Sequence, residues 1–167
     1  KREIIWIPLE HIEVKLDESS TGEVEAALHC PRGVLFLFHG CGRYAASFFY
    51  SPQGRKIVSM AYNAGLEIVA FTKKDEMGCW GWESDGVEVL TVGQKFMQRL
   101  NGVCGKDKLG NDIYPPVFAF GASSGGQFIA KLASQMNDDI VKHYAPFHFS
   151  AMNIQIMSPS DKLHWDI

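Results

Sequence analysis

The sequence predicts an α/β fold, a three-layer sandwich in which helices cover both faces of a mostly parallel β-sheet. Three short apolar runs carry this prediction, over residues 34–38, 68–71 and 117–120. Their residues do not alternate between apolar and polar, which is typical of strands covered on both faces. Segments with apolar residues at helical spacing lie between and after these runs. Strands that alternate with helices of this length predict βαβ units and therefore a parallel sheet.

Two β-type segments precede the first of these runs. The first covers residues 3–7, with an extension as far as Val14 left open, and the second covers residues 23–30. Apolar and polar residues alternate in the second segment, which predicts a strand with one exposed face. Because residues 19–22 form a Ser-Ser-Thr-Gly turn cluster, the two strands are expected to form a hairpin.

Two helices are predicted from their ends and their apolar faces. Residues 51–52 are placed as an N-cap serine followed by proline at the first helical position, and Gly65 as the residue just after the helix. Either Ser84 or Asp85 is expected to cap the second helix, whose apolar stripe extends over residues 89–100.

A third helix and a last strand complete the predicted order. The helix is expected to begin at Gly125, and its apolar stripe reaches Met136. The stretch over residues 147–157 is interpreted as a sixth strand, in which apolar and polar residues alternate from Met152 onward. Such alternation fits a strand at the edge of the sheet.

The composition limits the class of protein. The chain has 167 residues, of which 46% are hydrophobic and 21% are charged, which is long and apolar enough for one globular domain. We predict a single domain over 1–167, with a β-hairpin start at 1–31, a βαβαβα core at 33–138, and a sixth strand with a tail at 147–167. The net charge of −3, without a basic block, argues against an electrostatic nucleic-acid binder, so no nucleic-acid partner is expected. No apolar run approaches the ~20 residues that span a bilayer.

Four cysteines leave the redox state and the compartment open. None belongs to a Cys-x-x-Cys pair or to a Cys/His pattern with zinc-binding spacing, so no metal site is expected. Cys41 and Cys79 follow two neighbouring predicted strands at one edge of the sheet, where either a disulfide or two buried free thiols would fit. With Cys30 and Cys104, one or two disulfides are allowed. The chain opens with Lys1 rather than Met, so a removed secretory or organellar targeting segment also stays open.

The strongest chemical signal is a Gly-x-Ser-x-Gly motif made of Gly121, Ser123 and Gly125, with Gly126 directly after it. It lies between a predicted buried strand and a predicted helix, which is the context that distinguishes a nucleophile elbow from a chance match. In this interpretation Ser123 is the catalytic nucleophile and lies near the positive end of the following helix. The alternative is a Ser/Gly-rich connecting loop without a chemical role.

A second motif, His-Gly-Cys-Gly at residues 39–42, also follows a predicted buried strand. Together with the elbow and the order of the elements, it resembles the core of the α/β-hydrolase superfamily over residues 24–136. These motifs, and Cys-Trp-Gly-Trp at residues 79–82, are similar to those of polyhydroxybutyrate-depolymerase-like and feruloyl-esterase-like members. A set of uncharacterised eukaryotic hydrolase-like proteins with a GASSGG elbow is more similar still.

The resemblance implies an oxyanion hole built from two backbone amides. In this fold one amide comes from the loop after the third strand and the other from the residue after the nucleophile. The matching residues are Cys41, or its neighbour Gly42, and Ser124. A glycine-rich turn that only connects a strand to a helix is the alternative for this loop.

Two tryptophans and a histidine lie near the same predicted edge. Trp80 and Trp82 are candidates to line a pocket for the acyl or aromatic part of a substrate, and equally to pack their loop onto the sheet. His39 is expected to be structural, because the catalytic base follows the serine along the chain in this fold.

The resemblance further implies an acid and then a histidine after the nucleophile Ser123. Only 44 residues follow Ser123, which leaves no room for the seventh and eighth strands that normally precede these two groups. His148 precedes or opens the sixth strand, and His164 comes too soon after Asp161 for the usual geometry. We therefore expect the triad Asp and His to be absent from this chain and the fold to be incomplete at its C-terminus.

Three explanations stay open: a fragment, a base and acid supplied by another polypeptide, or a hydrolase fold retained for binding or assembly. The sequence predicts a serine hydrolase that acts on an ester or related acyl bond of a small molecule, without a metal or organic cofactor. The alternative is a non-catalytic subunit whose exposed sheet edge a protein partner covers. The isolated 167-residue chain is expected to be catalytically silent and poorly stable.

Overall fold

A computed structural model of the chain describes residues 4–9, 30–73, 78–100, 102–135 and 149–155. The strands of this part are β1 (Ile4–Ile7), β2 (Gly33–Phe38), β3 (Leu66–Phe71), β4 (Val117–Ala122) and β5 (Phe149–Gln155). The helices are α1 (Ser47–Tyr50), α2 (Pro52–Asn63), α3 (Trp82–Gln98) and α4 (Ser124–Gln135). The described strands form one sheet in the order β1-β3-β2-β4-β5.

The sheet is mostly parallel, as the sequence predicts. β2 lies between β3 and β4 and runs parallel to both, and β5 runs parallel to β4, whereas β1 is antiparallel to β3. Phe38, the last residue of β2, lies opposite Phe71 on one side and Gly121 on the other. The carboxyl ends of three strands therefore meet at one edge of the sheet.

Both faces of the central strand are covered, which confirms the three layers. Val34, Phe36 and Phe38 belong to a core on one face of the sheet, and Leu35 and Leu37 belong to a core on the other. The first core includes side chains of α3 and α4, and the second includes side chains of α1 and α2. Each buried phenylalanine contributes about 1.5–3 kcal/mol through removal of apolar surface from water.

The ends of α2 follow from local chemistry. The Ser51 hydroxyl accepts a hydrogen bond from the Gly54 amide at 3.1 Å, and Pro52 occupies the first helical position. Gly65 follows the helix with φ +80°, a left-handed conformation that costs glycine little. The predicted start and end of this helix are confirmed.

The prediction for the start of α3 is wrong. The helix begins at Trp82 after an extended Gly81, two residues before the expected Ser84 cap. Asp85 lies inside the first turn instead, and its carboxylate accepts a hydrogen bond from the Gly81 amide at 3.0 Å. This carboxylate satisfies the amide of Gly81, the residue before the helix, whereas the side chain of a preceding cap would accept a hydrogen bond from an amide of the first turn.

The remaining predicted elements fall partly outside the described residues. β1 confirms the first β-type segment over 4–7, but Val14 and residues 23–29 lie outside the described part of the chain. α4 begins at Ser124, one residue before the predicted start, and Met136 lies outside. β5 lies within the predicted sixth strand, and β4 is its neighbour among the described strands. No helix in the described ranges is both long and apolar enough to cross a bilayer.

Candidate active site

Both sequence motifs lie at the edge where β2, β3 and β4 end. The loop that follows β2, residues 39–42, is called the β2 loop below. The turn that follows β4 consists of Ser123 alone, because β4 ends at Ala122 and α4 begins at Ser124. In open α/β folds, ligands bind at the carboxyl edge of the parallel sheet. Both motifs lie at this edge.

Ser123 has the backbone conformation of a strained elbow. Its φ is +51°, and no other non-glycine residue among the described ranges has a positive φ. Its carbonyl oxygen accepts the Gln127 amide at 3.1 Å, so the first hydrogen bond of α4 starts at Ser123. A left-handed non-glycine residue costs of order 1–3 kcal/mol and is retained where the surrounding structure imposes it. The turn places Ser123 at the positive end of the helix dipole.

Glycines on both sides permit this turn. A Cβ at Gly121 would lie 2.4 Å from the Gly125 carbonyl carbon, and one at Gly125 would lie 2.3 Å from the Phe38 carbonyl oxygen. Neither distance is compatible with a side chain, so both positions require glycine. Gly126 is buried in the first turn of α4. The elbow spacing therefore reflects direct backbone contact between β4, α4 and the end of β2.

The β2 loop passes close to Ser123. A Cβ built on Gly40 would lie 3.5 Å from both the Ser123 Cβ and the Ala122 carbonyl oxygen. Cys41 follows and is exposed, and Gly42 has φ +64° with open space around it. The predicted oxyanion hole uses the amides of Cys41 and Ser124. These two residues directly follow Gly40 and Ser123 along the chain. Their role in holding an oxyanion stays a prediction.

His39 is bound on both ring nitrogens within the loops of this edge. Its Nε2 accepts the Lys73 amide at 3.0 Å, and its Nδ1 lies 2.7 Å from the Gly40 carbonyl oxygen. An acceptor at Nε2 places the proton on Nδ1, which donates to that oxygen and makes the ring neutral. His39 is buried, so the structural interpretation of this histidine is confirmed.

The loops after β2 and β3 are joined further by covalent and polar contacts that sequence reasoning left open. Cys41 and Cys79 form a disulfide, so the alternative of two buried free thiols is wrong, and both half-cystines are exposed. The Thr72 hydroxyl accepts the Ala45 amide at 2.9 Å. No local sequence pattern marks Thr72, because its partner lies 27 residues away along the chain.

Trp80 packs its loop onto the sheet. Its side chain is 8% exposed, its ring centroid lies 5.3 Å from that of Phe38, and its Nε1 donates to the His39 carbonyl oxygen at 2.8 Å. Packing is thus the role that the contacts of Trp80 describe. A pocket function for Trp80 stays a prediction, and so does one for Trp82, which opens α3.

A second histidine that could serve as the base of a triad is not found among the described residues. His39 is the single histidine in the described ranges, and both of its ring nitrogens are hydrogen bonded to backbone atoms of the loops. His148, His164 and Asp161 lie outside the described part of the chain.

Comparison of the chain with known proteins gives matches among solved structures. No protein-family model matches, and no curated protein matches in sequence. A lipase/esterase from Lactobacillus plantarum superposes with a TM-score of 0.58 at 12% identity, over 90% of this chain and 54% of that one. A carboxylesterase from the same species superposes with a TM-score of 0.53 at 11% identity, over 90% of this chain and 49% of that one. This chain thus spans about half the length of either enzyme.

A third match concerns the predicted branch of the superfamily. A poly(3-hydroxybutyrate) depolymerase from Bordetella parapertussis is 24% identical, with a TM-score of 0.46, over 75% of this chain and 42% of that one. A likeness at this level does not assign a branch, so the depolymerase-like assignment stays a prediction.

Proposed function

Because the chain has the α/β-hydrolase fold, we propose that it carries the nucleophile of a serine hydrolase that cleaves an ester or related acyl bond. One observation carries the proposal: Ser123 is the single residue between β4 and α4, has a φ of +51°, and lies so near the β2 loop that a Cβ added at Gly40 would be 3.5 Å from its own Cβ. A fold by itself does not establish an activity, so the proposal depends on this local geometry. The two Lactobacillus neighbours named as a lipase/esterase and a carboxylesterase support the ester as substrate class.

The chemistry assigned to these residues is acyl transfer. The Ser123 hydroxyl oxygen attacks the acyl carbon while a base takes its proton, and the carbonyl oxygen becomes an oxyanion. The backbone amides of Cys41 and Ser124 donate to that oxyanion, and the positive end of α4 favours the same charge. The alcohol leaves with the proton, and water then releases the acid from Ser123. The base is a histidine outside the described residues, because His39 is already hydrogen bonded on both ring nitrogens.

The disulfides support a site of action in an oxidising compartment. Cys30 pairs with Cys104 and Cys41 pairs with Cys79, so no cysteine of the chain is free. Structural disulfides persist in secreted, luminal and periplasmic proteins and are rare where thiols are kept reduced. We assign the protein to such a compartment.

Labelling with a fluorophosphonate probe tests the proposed activity on the full-length protein. The probe phosphonylates an activated serine, so we expect one labelled peptide that contains Ser123 and loss of the label in Ser123→Ala. Ser59→Ala is the matched control, because Ser59 is an exposed serine on α2, away from the site, and its loss should leave labelling intact. A folded protein without label at Ser123 would overturn the proposal and favour the non-catalytic subunit.

A further inference from the structure

We propose that Trp80 is a positioning residue for the β2 loop, and thereby for the oxyanion donor at Cys41. The inference rests on the proposed function for its catalytic consequence. The Trp80 indole donates a hydrogen bond to the backbone of the loop, so its effect passes through that backbone. Two attachments, one residue apart on the segment that precedes α3, carry this argument.

The first attachment is covalent and the second is a hydrogen bond. Cys79 is bonded to Cys41 through the disulfide, and the Trp80 indole N–H donates to the His39 carbonyl oxygen at 2.8 Å. The loop is therefore held at residues 39 and 41, on either side of Gly40, where an added Cβ would lie 3.5 Å from the Ser123 Cβ. Glycine gives a backbone more conformational freedom than any other residue, so a loop with glycines at 40 and 42 depends on such external attachments.

The indole ring is itself held by the two elements that bear the candidate site. Its centroid lies 5.3 Å from that of Phe38 at the end of β2 and 5.1 Å from that of Phe128 on α4. The His39 ring lies at 5.1 Å. Because α4 begins directly after Ser123, Trp80 contacts both the strand before the Cys41 amide and the helix that contains the Ser124 amide. A buried indole N–H requires a hydrogen-bond acceptor, and this one uses the loop backbone.

Loss of the indole donor should therefore move the loop without removing a reacting group. Oxyanion donors act at about 2.7–3.1 Å from the charge that they stabilise. A displacement on the order of 1 Å can cost about 10²-fold in rate, and loss of one attachment while others remain should cost less than that. We expect about a tenfold fall.

The test compares the same substitution at two tryptophans of the full-length protein. Trp80→Phe keeps an aromatic ring and removes the N–H. Trp6→Phe is the matched control, because the Trp6 indole N–H also donates a hydrogen bond, to Glu67 at 3.4 Å, near the opposite edge of the sheet. Phosphonylation of Ser123 is measured against probe concentration. We expect the maximal rate to fall about tenfold in Trp80→Phe, with an unchanged half-saturating concentration, and to change less than twofold in Trp6→Phe.

Hydrogen exchange of peptides that cover residues 39–42 gives a readout that does not depend on catalysis. Exchange in this loop should be faster in Trp80→Phe than in the parent protein and unchanged in Trp6→Phe. If Ser123 in the parent protein takes no label, the proposed function fails, and the exchange result alone decides whether Trp80 positions the loop. Parent-like exchange in folded Trp80→Phe would overturn the inference.

If Trp80→Phe does not fold, two double variants test whether the Cys79–Trp80 segment holds the loop. Cys41→Ser with Cys79→Ser removes the disulfide that attaches the loop, and both of its cysteines are exposed. Cys30→Ser with Cys104→Ser removes the remote disulfide. Only the first pair should accelerate exchange in the β2 loop and slow phosphonylation. Equal behaviour of the two pairs would contradict a loop held at the Cys79–Trp80 segment.

Discussion

At the scale of single residues, the candidate site depends on one serine in a conformation that serines avoid. Ser123 has a φ of +51° because the turn from β4 into α4 contains no other residue. The chain retains a costly conformation at the position where a nucleophile would be exposed. Strain of this kind is concentrated at functional sites, where the rest of the fold compensates for it.

Replacing Ser123 with glycine should stabilise the protein relative to replacing it with alanine. Glycine relieves about 1–2 kcal/mol of left-handed strain, and its greater freedom in the unfolded chain offsets about 0.4–1 kcal/mol of that gain. We expect Ser123→Gly to exceed Ser123→Ala by about 0.5–1 kcal/mol in the free energy of unfolding. Denaturant titration of the two variants measures the difference, and equal midpoints would argue against a strained elbow.

At the scale of elements, the first turn of α4 lies directly on the end of β2. The contact is between backbones, since a Cβ at Gly125 would lie 2.3 Å from the Phe38 carbonyl oxygen. No rotamer change can relieve such an overlap, so the helix would have to move away from the sheet. The elbow, the β2 loop and the core face of α4 are therefore coupled through this glycine.

Gly125→Ala should consequently destabilise the protein more than an alanine placed at an uncrowded glycine. We expect a loss of about 3 kcal/mol or more from the backbone overlap. Gly110→Ala is the control: Gly110 has φ +87° and open space around it, so strain alone should cost about 1 kcal/mol. Thermal or denaturant unfolding of both variants provides the comparison. A Gly125→Ala protein as stable as Gly110→Ala would show that helix and strand are less closely packed than described.

At the amino end of β3, an ion pair between the buried Glu67 and the half-buried Arg99 links three elements. The Glu67 carboxylate on β3 forms an ion pair with Arg99, which follows α3. The Arg99 guanidinium lies 3.9 Å from the centre of the Trp6 ring on β1. Burial raises the pKa of Glu67 above 4.5, although Arg99 and the Trp6 N–H oppose the shift. Burial also lowers the pKa of Arg99, which Glu67 opposes.

The raised pKa of Glu67 predicts a pH dependence of stability. Between its unfolded and folded pKa values the native state binds more protons than the unfolded state, so the contribution of Glu67 to stability falls as pH rises through that interval. The free energy of unfolding of the parent protein, minus that of Glu67→Gln, should therefore decrease as pH rises from about 4 toward neutrality. Unfolding of both proteins over this range checks the sign, and a difference that grows with pH would contradict it.

At the scale of the whole molecule, two disulfides close the chain at opposite edges of the sheet. Cys30 precedes β2 and pairs with Cys104 in the loop after α3, whereas Cys41 and Cys79 join the loops at the carboxyl edge. The first bridge spans 74 residues and the second spans 38. Closing a longer loop removes more entropy from the unfolded chain, so the two bridges should differ in effect.

We predict that loss of the Cys30–Cys104 bridge affects stability and leaves the chemistry of the candidate site intact. Cys30→Ser with Cys104→Ser should lower the free energy of unfolding by about 2–4 kcal/mol. The shift is measured as a lower denaturant midpoint, with Ser123 phosphonylation as the control that should keep its rate. An unchanged midpoint would mean that the bridge adds no constraint that the sheet does not already impose.

Local patterns in the sequence predict a large part of this fold. The apolar runs of β2, β3 and β4, the ends of α2 at Ser51 and Gly65, and the position of Ser123 between strand and helix all depend on residues within a few positions of one another. Period, capping and turn chemistry act over that distance, so they can be recognised without the fold. The predicted start of α3 is wrong because Asp85 does not precede the helix as a cap. It lies inside the first turn and accepts a hydrogen bond from the Gly81 amide.

Other features were decided by the tertiary structure alone. The sequence left open whether Cys41 pairs with Cys79, and it did not predict the hydrogen bond that the Trp80 indole donates to His39, the bond between His39 and Lys73, or the closeness of Gly40 to Ser123. Each joins residues tens of positions apart that meet because parallel strands place their carboxyl ends at one edge. A sequence specifies which residues are able to pair, bond or pack, but contact between distant segments depends on the path of the chain through the sheet. For that reason the elbow could be predicted from the sequence, whereas the loops packed around it could not.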